Sequence, residues 1–320
     1  MKRFLVTGAS GQIGSELVPA LRDRYGADSV IAAGHTRPLA GEITATGPCT
    51  RVDVTSFEDI VRAIREFQID SIYHLSSILS ALAEQQRRLA YQVNINGLCN
   101  VLEAACMNGV ERVIIPSSIA AFGPSTPRDN TPNDTLQRPN TIYGISKVFG
   151  ELLGNYYHEK VGLDVRGVRL PGIISWKVEP TAGTTDYAVA AFYGALRERR
   201  YRCYLRPDTY LPMMYMPDAV RALMEVAEAD VSKLQHHADF NVSAMSFAPE
   251  DLAQAITKRM PDFTMEYQVD PLRQSIADSW PNSLDDSPAR AEWGWQPEYN
   301  LETMVEDMLR NLSRKLASSY

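Results

Sequence analysis

The sequence contains few cysteines, and none are paired at a spacing that binds a metal. Its 320 residues include only four cysteines, Cys49, Cys99, Cys106 and Cys203. No Cys-x-x-Cys pair is present, and no group of histidines and cysteines has zinc spacing. These absences exclude a disulfide-stapled fold and a zinc domain, so we predict no metal site. They also favour reduced thiols and a cytoplasmic location.

Two further absences concern membranes and nucleic acids. No apolar run approaches the roughly 20 residues that a membrane-spanning helix requires, so we expect no membrane partner. The first predicted strand begins at Phe4, from which we expect no signal peptide. The 32 lysines and arginines are outnumbered by 39 aspartates and glutamates, for a net charge of −7. This acidic balance argues against nucleic acid as a partner.

The remaining composition is that of a globular protein, 45% hydrophobic and 22% charged. Up to about residue 170, strand-like and helix-like segments alternate, which predicts an α/β fold with a parallel, doubly wound sheet. The predicted strands are Phe4–Thr7, Ser29–Ala33, Ile69–Leu75, Arg112–Ser117 and Asp164–Leu170. The predicted long helices are Phe57–Glu66, Leu89–Met107 and Ile142–Val161.

The chain becomes less regular beyond residue 170. We predict loops at Glu179–Thr185, Leu205–Pro217 and Ile276–Ala289, in addition to a surface loop at Gly123–Asn140. An irregular segment after a regular sheet suits a smaller substrate-binding lobe. We therefore predict a cofactor domain over residues 1–170 and a lobe over residues 171–320, some segments of which return to the first domain.

A glycine-rich motif follows the first predicted strand. Residues 4–14 read FLVTGASGQIG, with Gly8, Gly11 and Gly14 three residues apart, and a helical segment follows. Glycines permit a tight turn and a close backbone approach, and the helix N-terminus offers free N–H groups to a phosphate. A strand, a glycine turn and a helix in this order predict a Rossmann-type dinucleotide site.

Tyr143 and Lys147 form a second motif, four residues apart on a predicted helix. Residues i and i+4 share one helix face, so the ammonium can lie beside the phenol and favour its ionised form. Ser118, 25 residues upstream, could hydrogen-bond the same substrate oxygen. A tyrosine and a lysine exposed on an ordinary helix, with no catalytic role, would show the same spacing. The glycine motif favours a proton-transfer site with Tyr143 as general base.

The segment after the second predicted strand bears on cofactor choice. Dinucleotide sites usually place an acid there to hold the adenosine ribose hydroxyls. Here the residues are Gly34, His35, Thr36 and Arg37, without an acid. They could bind the ribose through neutral hydrogen bonds, or a 2′-phosphate through Arg37. From these residues alone, NADP is favoured over NAD.

These motifs together resemble the extended short-chain dehydrogenase/reductase family, which includes UDP-galactose epimerase. The family's pattern is also matched by Asp53-Val54, by the segments 74–77 and 94–100, and by residues 169–173. The resemblance implies a cofactor site formed by Gly8, Gly11, Gln12, Ile13, Gly14, Gly34, His35, Thr36, Arg37, Asp53, Val54, Leu75, Ser76, Ser77, Asn94, Tyr143, Lys147, Pro171 and Ile173.

The segment GTTDYAV at residues 183–189 narrows the substrate. Its hydroxyls and exposed N–H groups, in a glycine-led loop, suit a small carboxylate better than a bulky nucleotide sugar. A helix cap at Thr184 or Thr185 would need no ligand, and that interpretation remains open.

This segment occurs with residues 74–81, 211–219 and 278–287 in a combination that resembles the short-chain L-threonine 3-dehydrogenases. That resemblance implies metal-free oxidation of L-threonine with NAD, NADP not being excluded, in a homodimer packed through helices near residues 90–107 and 142–161. The implied substrate-binding residues are Ser80, Ser118, Tyr143, Gly183, Thr184, Thr185 and Trp280. Simple core packing is an equal alternative for Trp280.

Two other functions remain open. One is a nucleotide-sugar epimerase or dehydratase on the same fold, which shares the glycine turn and the Ser118, Tyr143 and Lys147 trio. The other is a regulator that senses NAD(P) without turnover. Proteins of the second kind commonly lose the tyrosine or the lysine, whereas this sequence retains both.

Overall fold

The structure, a computed structural model, describes residues 2–180 and 183–317. The strands are β1 Phe4–Thr7, β2 Val30–Gly34, β3 Cys49–Arg51, β4 Ser71–His74, β5 Arg112–Ile114, β6 Ser117–Ser118, β7 Asp164–Arg166, β8 Val168–Leu170, β9 Gly172–Ile174, β10 Arg200–Cys203, β11 Leu211–Tyr215, β12 Phe240–Asn241, β13 Met245–Phe247 and β14 Thr264–Tyr267. The α-helices are α1 Gly14–Tyr25, α2 Gly41–Ala45, α3 Phe57–Phe67, α4 Ser80–Gln85, α5 Arg87–Ala90, α6 Gly97–Met107, α7 Ile142–Tyr156, α8 Tyr187–Glu198, α9 Met216–Glu228, α10 Pro249–Thr257, α11 Pro271–Ala277, α12 Ser287–Trp293 and α13 Leu301–Ala317.

The central sheet confirms the predicted Rossmann-type fold. Among the described residues it has six parallel strands in the order β3-β2-β1-β4-β5-β7. β1 lies at its centre, with Leu5 opposite Ile31 on β2 and Ile72 on β4. All four residues of β1 are buried, because helices cover both faces of the sheet. The chain reverses its direction of progress across the sheet at β1 and β4, so the ends of these two strands border the crevice where such folds bind ligands.

Two of the predicted strands are broken in the structure. The segment Arg112–Ser117 divides at Pro116, and Asp164–Leu170 divides at Gly167. β5 and β7 belong to the central sheet, whereas β6 and β8 pair with β12 in a separate small sheet. Proline lacks the N–H that a ladder needs. A side chain at Gly167 would lie 2.4 Å from the carbonyl oxygen of Ile115. The prediction of two continuous strands was therefore wrong.

The predicted loop at Leu205–Pro217 was also wrong, because it contains β11 and the start of α9. β11 pairs in parallel with β9 and antiparallel with β13. All five of its residues are buried, so it lacks the alternation that marks a half-exposed strand. The segment contains three prolines, which are typical of loops, but Pro217 lies at the first turn of α9, where a missing N–H is tolerated. β10 and β14 form a two-stranded sheet nearby.

The other predicted loops agree better with the structure. Gly123–Asn140 is irregular apart from a bridge between Thr131 and Leu284. The ends of Ile276–Ala289 belong to α11 and α12, and only the residues between these helices are irregular. Within Glu179–Thr185, Thr181 and Ala182 lie outside the described residues.

Long helices form where they were predicted, with two π-helical segments inserted. Residues Tyr91–Asn96 join α5 to α6 in a π-helix, and residues Tyr157–Val161 extend α7 in the same way. Such segments are frequent at functional sites. Among the described residues, no helix has the length and apolar character required to cross a membrane.

Separate apolar clusters fill the two faces of the sheet and the interior of the lobe. Leu5 and Ile31 pack on one face, while Val6 and Ala32 pack on the other. The lobe cluster includes Trp280 and spans from residue 119 to residue 312. Residues beyond 170 also pack on the central sheet, because α9 contacts α1 and contributes Met216 and Ala219 to the cluster that contains Val6.

Candidate active site

The glycine turn lies at the carboxyl end of β1, and its geometry requires glycine. Gly8 has φ +69°, and a Cβ there would lie 2.8 Å from the carbonyl carbon of Leu75 and the nitrogen of Ser76. The N–H of Gly11 donates to the carbonyl of Gly8 at 2.9 Å, which closes the turn. No side chain caps the N-terminus of α1. The N–H groups of Ser15 and Glu16 already donate to the carbonyls of Gly11 and Ile13, so it is the positive end of the helix dipole that favours an anion here.

A second feature fits a bound cofactor. The hydroxyl of Ser77 is buried and has no hydrogen-bond partner among the described residues. Buried polar atoms in folded proteins are almost always paired, so an orphan hydroxyl beside the glycine turn points to a ligand. The residues present fit a dinucleotide.

Thr141 sets the position of Tyr143 and Lys147. Its hydroxyl accepts the N–H of Gly144 at 3.1 Å and caps α7, which places Tyr143 in the first turn and Lys147 one turn later. The ammonium of Lys147 lies 5.2 Å from the centre of the Tyr143 ring. It also donates to the carbonyl of Pro116 at 2.8 Å. The structure thus brings the two residues together, as the i, i+4 spacing predicted.

Ser118 reaches the same region because α7 packs closely on the segment that follows it. A Cβ at Gly144 would lie 2.2 Å from the carbonyl oxygen of Ala120, so glycine allows the helix to approach. The hydroxyl of Ser118 accepts the N–H of Ala120 at 3.2 Å. Ser118 ends β6, two residues after the carbonyl that holds Lys147.

His74 is a site residue to which the sequence analysis assigned no role. Its Nδ1 lies 2.9 Å from the hydroxyl of Thr7, joining the ends of β4 and β1. Burial, and then the ammonium of Lys147, lower the pKa of His74 to about 3. The imidazole is therefore neutral at physiological pH, and the positive charge beside it is that of the Lys147 ammonium. The sequence did offer one indication of this, since His74 lies near the end of a central predicted strand and such strand ends border the ligand site.

Asn94 ties the loop after β4 to the helix of Tyr143. Its side chain accepts the N–H of Ile78 at 2.7 Å and donates to the carbonyl of Ile78 and to Ser146 at 3.0 and 3.2 Å. The hydroxyl of Ser146 in turn donates to the carbonyl of Tyr143 at 2.7 Å. A cavity of about 40 Å³ lies here, lined in part by Leu75, Ser76, Ser77, Asn94 and Lys147.

A buried charge pair beneath the site was missed from the sequence. Glu151, four residues after Lys147 on α7, accepts hydrogen bonds from Arg169 and from the hydroxyl of Ser117. Gln137 donates to the same carboxylate at 2.6 Å. Because Ser117 precedes Ser118, this network anchors the strand end that carries the candidate serine. Arg169 lies two positions before Pro171, in a segment that the sequence analysis singled out, but its partner Glu151 could not be inferred from the motif.

Two of the predicted adenosine-end residues, His35 and Asp53, lie close together at the edge of the sheet. His35 Nε2 lies 3.5 Å from Asp53 Oδ2. Burial opposes ionisation of Asp53, but hydrogen bonds from Thr55 and the charges of His35 and Arg51 outweigh it and lower the pKa of that carboxyl. Val54 is buried and packs near Gly97.

The predicted substrate segment packs against the start of β9. Residues Thr184–Asp186 form a 3-10 turn, and Thr184 is buried. A Cβ at Gly172, on β9 between Pro171 and Ile173, would lie 2.7 Å from the methyl of Thr185. The hydroxyl of Tyr204 donates to the carbonyls of Gly183 and Thr184 at 2.9 and 3.2 Å. Tyr204 was not anticipated from the sequence.

Ser80 and Trp280 complete the predicted substrate residues. Ser80 is buried at the first position of α4. Trp280 is also buried, in the lobe cluster against which Tyr143 packs. The core-packing interpretation of Trp280 thus has a direct structural basis, while its approach to a substrate stays a prediction.

Comparison with known proteins places the chain in a family. The model of the NAD dependent epimerase/dehydratase family matches residues 4–243, and the chain belongs to this family. An uncharacterized epimerase/dehydratase of Staphylococcus aureus is 46% identical over 315 residues, 98% of each chain.

Two solved structures are similar over nearly the whole length. An L-threonine dehydrogenase from Clostridium difficile is 50% identical, covers 98% of each chain and has a TM-score of 0.95. A monomeric L-threonine 3-dehydrogenase from a metagenome is 43% identical, covers 98% of this chain and 99% of its own, and has a TM-score of 0.93. The resemblance inferred from the sequence motifs is therefore confirmed.

Proposed function

We propose that this chain oxidises the β-hydroxyl of L-threonine to 2-amino-3-oxobutanoate, with NAD as the cofactor. The observation that carries the proposal is the position of the Lys147 ammonium, which lies 5.2 Å from the centre of the Tyr143 ring and donates to the carbonyl of Pro116, two residues before Ser118. The similarity to L-threonine dehydrogenases over 98% of the chain supports the choice of substrate.

The roles of the residues follow from their chemistry. Tyr143 acts as general base and takes the proton of the β-hydroxyl. Lys147 stabilises the phenolate, and its hydrogen bond to Pro116 holds the ammonium in place. Ser118 and Tyr143 both hydrogen-bond the substrate oxygen as negative charge develops on it. A bound cofactor would supply the acceptor for the hydride of the β-carbon.

The chain's own groups would hold the cofactor at three places. The glycine turn from Gly8 to Gly14 and the uncapped end of α1 would bind the diphosphate. Ser77 and Lys147 would contact the nicotinamide half, and Asp53 the adenosine half. The remaining proposed contacts are Gly34, His35, Thr36, Arg37, Val54, Leu75, Ser76, Asn94, Tyr143, Pro171 and Ile173.

The amino-acid end of the substrate would meet Ser80 and the segment Gly183–Thr185. Thr185 packs on Gly172 of β9, which lies between the proposed cofactor contacts Pro171 and Ile173. Backbone N–H groups and hydroxyls in the 3-10 turn suit a carboxylate. Trp280 would enclose the site from the lobe.

We propose that the reaction requires no metal. Within the described residues, no three histidine, cysteine, aspartate or glutamate side chains are grouped so that they could hold an ion. Lys147, Ser118 and Tyr143 supply the charge stabilisation that a metal would otherwise provide.

We propose a homodimer packed through α6 and α7. Ile145, Leu152 and Tyr156 lie on one face of α7 and are 47%, 63% and 55% exposed. Met107, at the end of α6, is 68% exposed. A contiguous exposed apolar face marks an interaction surface. A monomeric relative exists, so the assembly of this chain needs its own measurement.

The test of the reaction is the absorbance of reduced nicotinamide with L-threonine, with NAD and NADP assayed separately, with and without a chelator. Reduction that persists with the chelator supports the proposal. Loss of activity with the chelator would contradict the metal-free mechanism. No activity with L-threonine but activity on a nucleotide sugar would favour an epimerase or dehydratase. Cofactor binding without turnover of any substrate would favour a regulator.

A further inference from the structure

The carboxylate nearest the adenosine end is engaged on both of its oxygens. Asp53 Oδ1 accepts the N–H and the hydroxyl of Thr55 at 2.9 and 2.7 Å. Its Oδ2 lies 3.5 Å from Nε2 of His35, whose Nδ1 lies 3.2 Å from the hydroxyl of Thr36. Asp53 is thus held by its neighbours, and no acid follows β2 to replace it.

Two arginines lie in the segments that form this edge of the sheet. Arg51 is the register partner of Gly34 and is therefore adjacent to His35. The side chains of Arg37 and Arg51 are exposed, and neither has a hydrogen-bond or ion-pair partner in the part of the chain that the structure describes. The nearby carboxylate of Asp59 is already occupied by the N–H of Asp53 and by Arg62.

This balance of charge bears on the group at the 2′ position of the adenosine ribose. A carboxylate after the second strand binds the ribose hydroxyls and repels a 2′-phosphate, whereas an arginine accommodates the phosphate. Guanidinium groups also bind phosphate through charge-assisted, two-point hydrogen bonds. Here the repelling carboxylate is absent from the segment after β2, and unpaired guanidinium groups are present.

We infer that the adenosine end of this site accepts NADP as well as NAD, and that Arg37 pairs with the 2′-phosphate while His35 holds Asp53. This inference rests on the proposed nicotinamide cofactor but not on the identity of the substrate. It assigns cofactor selectivity to two positions, His35 and Arg37, that lie outside the glycine turn and the proton-transfer residues.

The experiment compares binding of NADH and NADPH to the full chain by isothermal titration calorimetry, without substrate. We expect dissociation constants within about tenfold of each other. Arg37→Ala should weaken NADPH binding by about tenfold or more and leave NADH binding within about twofold, because only the phosphate contact is lost. His35→Asp should also weaken NADPH binding selectively, because it restores an acid after β2. Arg259→Ala is the control, since Arg259 is exposed on the lobe and pairs with Glu306.

The outcomes separate this inference from the proposed function. NADPH binding more than about a hundredfold weaker than NADH binding would overturn the inference and leave the NAD-dependent reaction intact. Equal losses for both cofactors in Arg37→Ala would overturn the role of Arg37. If neither cofactor bound, both proposals would fail. If both bound but L-threonine were not oxidised, only the proposed reaction would fail.

Discussion

Glu151 and Arg169 form a two-point ion pair in the interior, beneath the candidate active site. Arg169 Nη2 lies 2.8 Å from Glu151 Oε2, and its Nε lies 3.0 Å from Oε1. Both residues are buried. The pair joins α7, which carries Tyr143 and Lys147, to β8, which runs beside Ser118. It therefore fixes the two elements that supply the proposed proton-transfer residues.

The first prediction concerns this pair. Removing one partner of a buried ion pair leaves an uncompensated charge, so Glu151→Gln should lower the free energy of unfolding by about 3–5 kcal/mol. Urea unfolding followed by circular dichroism measures the change. Glu266→Gln is the matched control, because the Arg202–Glu266 pair is exposed on both sides and should contribute little. Equal small effects in the two variants would contradict the structural role.

The second prediction concerns the proposed base. Tyr143→Phe should lower kcat by at least about a hundredfold, because the general base is lost while the ring still packs. NADH affinity and the melting temperature should change little. Steady-state assays with L-threonine measure the rate, and calorimetry measures the affinity. Near-normal turnover would remove the assignment of Tyr143.

The third prediction concerns Gly8, whose φ of +69° and contact with Leu75 and Ser76 leave no space for a Cβ. Gly8→Ala should destabilise the fold by more than about 1 kcal/mol and weaken cofactor binding. Gly41→Ala is the control, since a Cβ there meets nothing within 4 Å and the residue begins α2. Thermal unfolding with and without NADH separates the two effects. Unchanged NADH binding in Gly8→Ala would contradict the placement of the diphosphate.

The fourth prediction concerns pH. The pKa of His74 is lowered to about 3 in the folded state by burial and by Lys147, against a model-peptide value near 6.5. The unfolded chain therefore binds a proton at His74 before the folded chain does. The stability from this residue is fully present above pH 6.5 and is lost as the pH falls from there toward 3, by about 1.4 kcal/mol per pH unit.

The test of this pH dependence is urea unfolding at pH 7 and pH 5 for the native chain and for His74→Asn. Asparagine keeps a polar partner for Thr7 but does not titrate. The native chain should lose about 2 kcal/mol more than the variant between the two pH values. Parallel losses in both proteins would show that His74 does not govern acid stability.

The fifth prediction concerns the apolar face of α7. Leu152→Glu should shift the protein from dimer to monomer, because it places a charge at the centre of the proposed interface. Light scattering after size-exclusion chromatography measures the mass. Leu272→Glu is the control, since Leu272 is 70% exposed on α11 in the lobe. A native monomer, or a Leu152→Glu dimer, would contradict the proposed assembly.

Much of the fold could be predicted because its signals are local. β1, the glycine turn and α1 follow one another within residues 4–25, and the apolar run, the glycines and the helix each specify their own backbone. Tyr143 and Lys147 could be paired for the same reason, because helix geometry alone places residues four apart on one face.

The errors occur where a residue's environment depends on distant segments. β11 was predicted as part of a loop, since it shows no polar alternation and contains Pro212, yet pairing with β9 and β13 makes it a strand. The break at Gly167 is set by the close approach of Ile115 and His237, which are far away in sequence.

The sequence by itself determined the first strand, the glycine turn with the helix after it, and the spacing of Tyr143 and Lys147, since these depend on contacts within a few residues. Only the tertiary structure decided that Arg169 pairs with Glu151, that His74 is kept neutral and that His35 engages Asp53. These relationships depend on burial and on side chains from different elements, and burial is a property of the packed chain rather than of any segment.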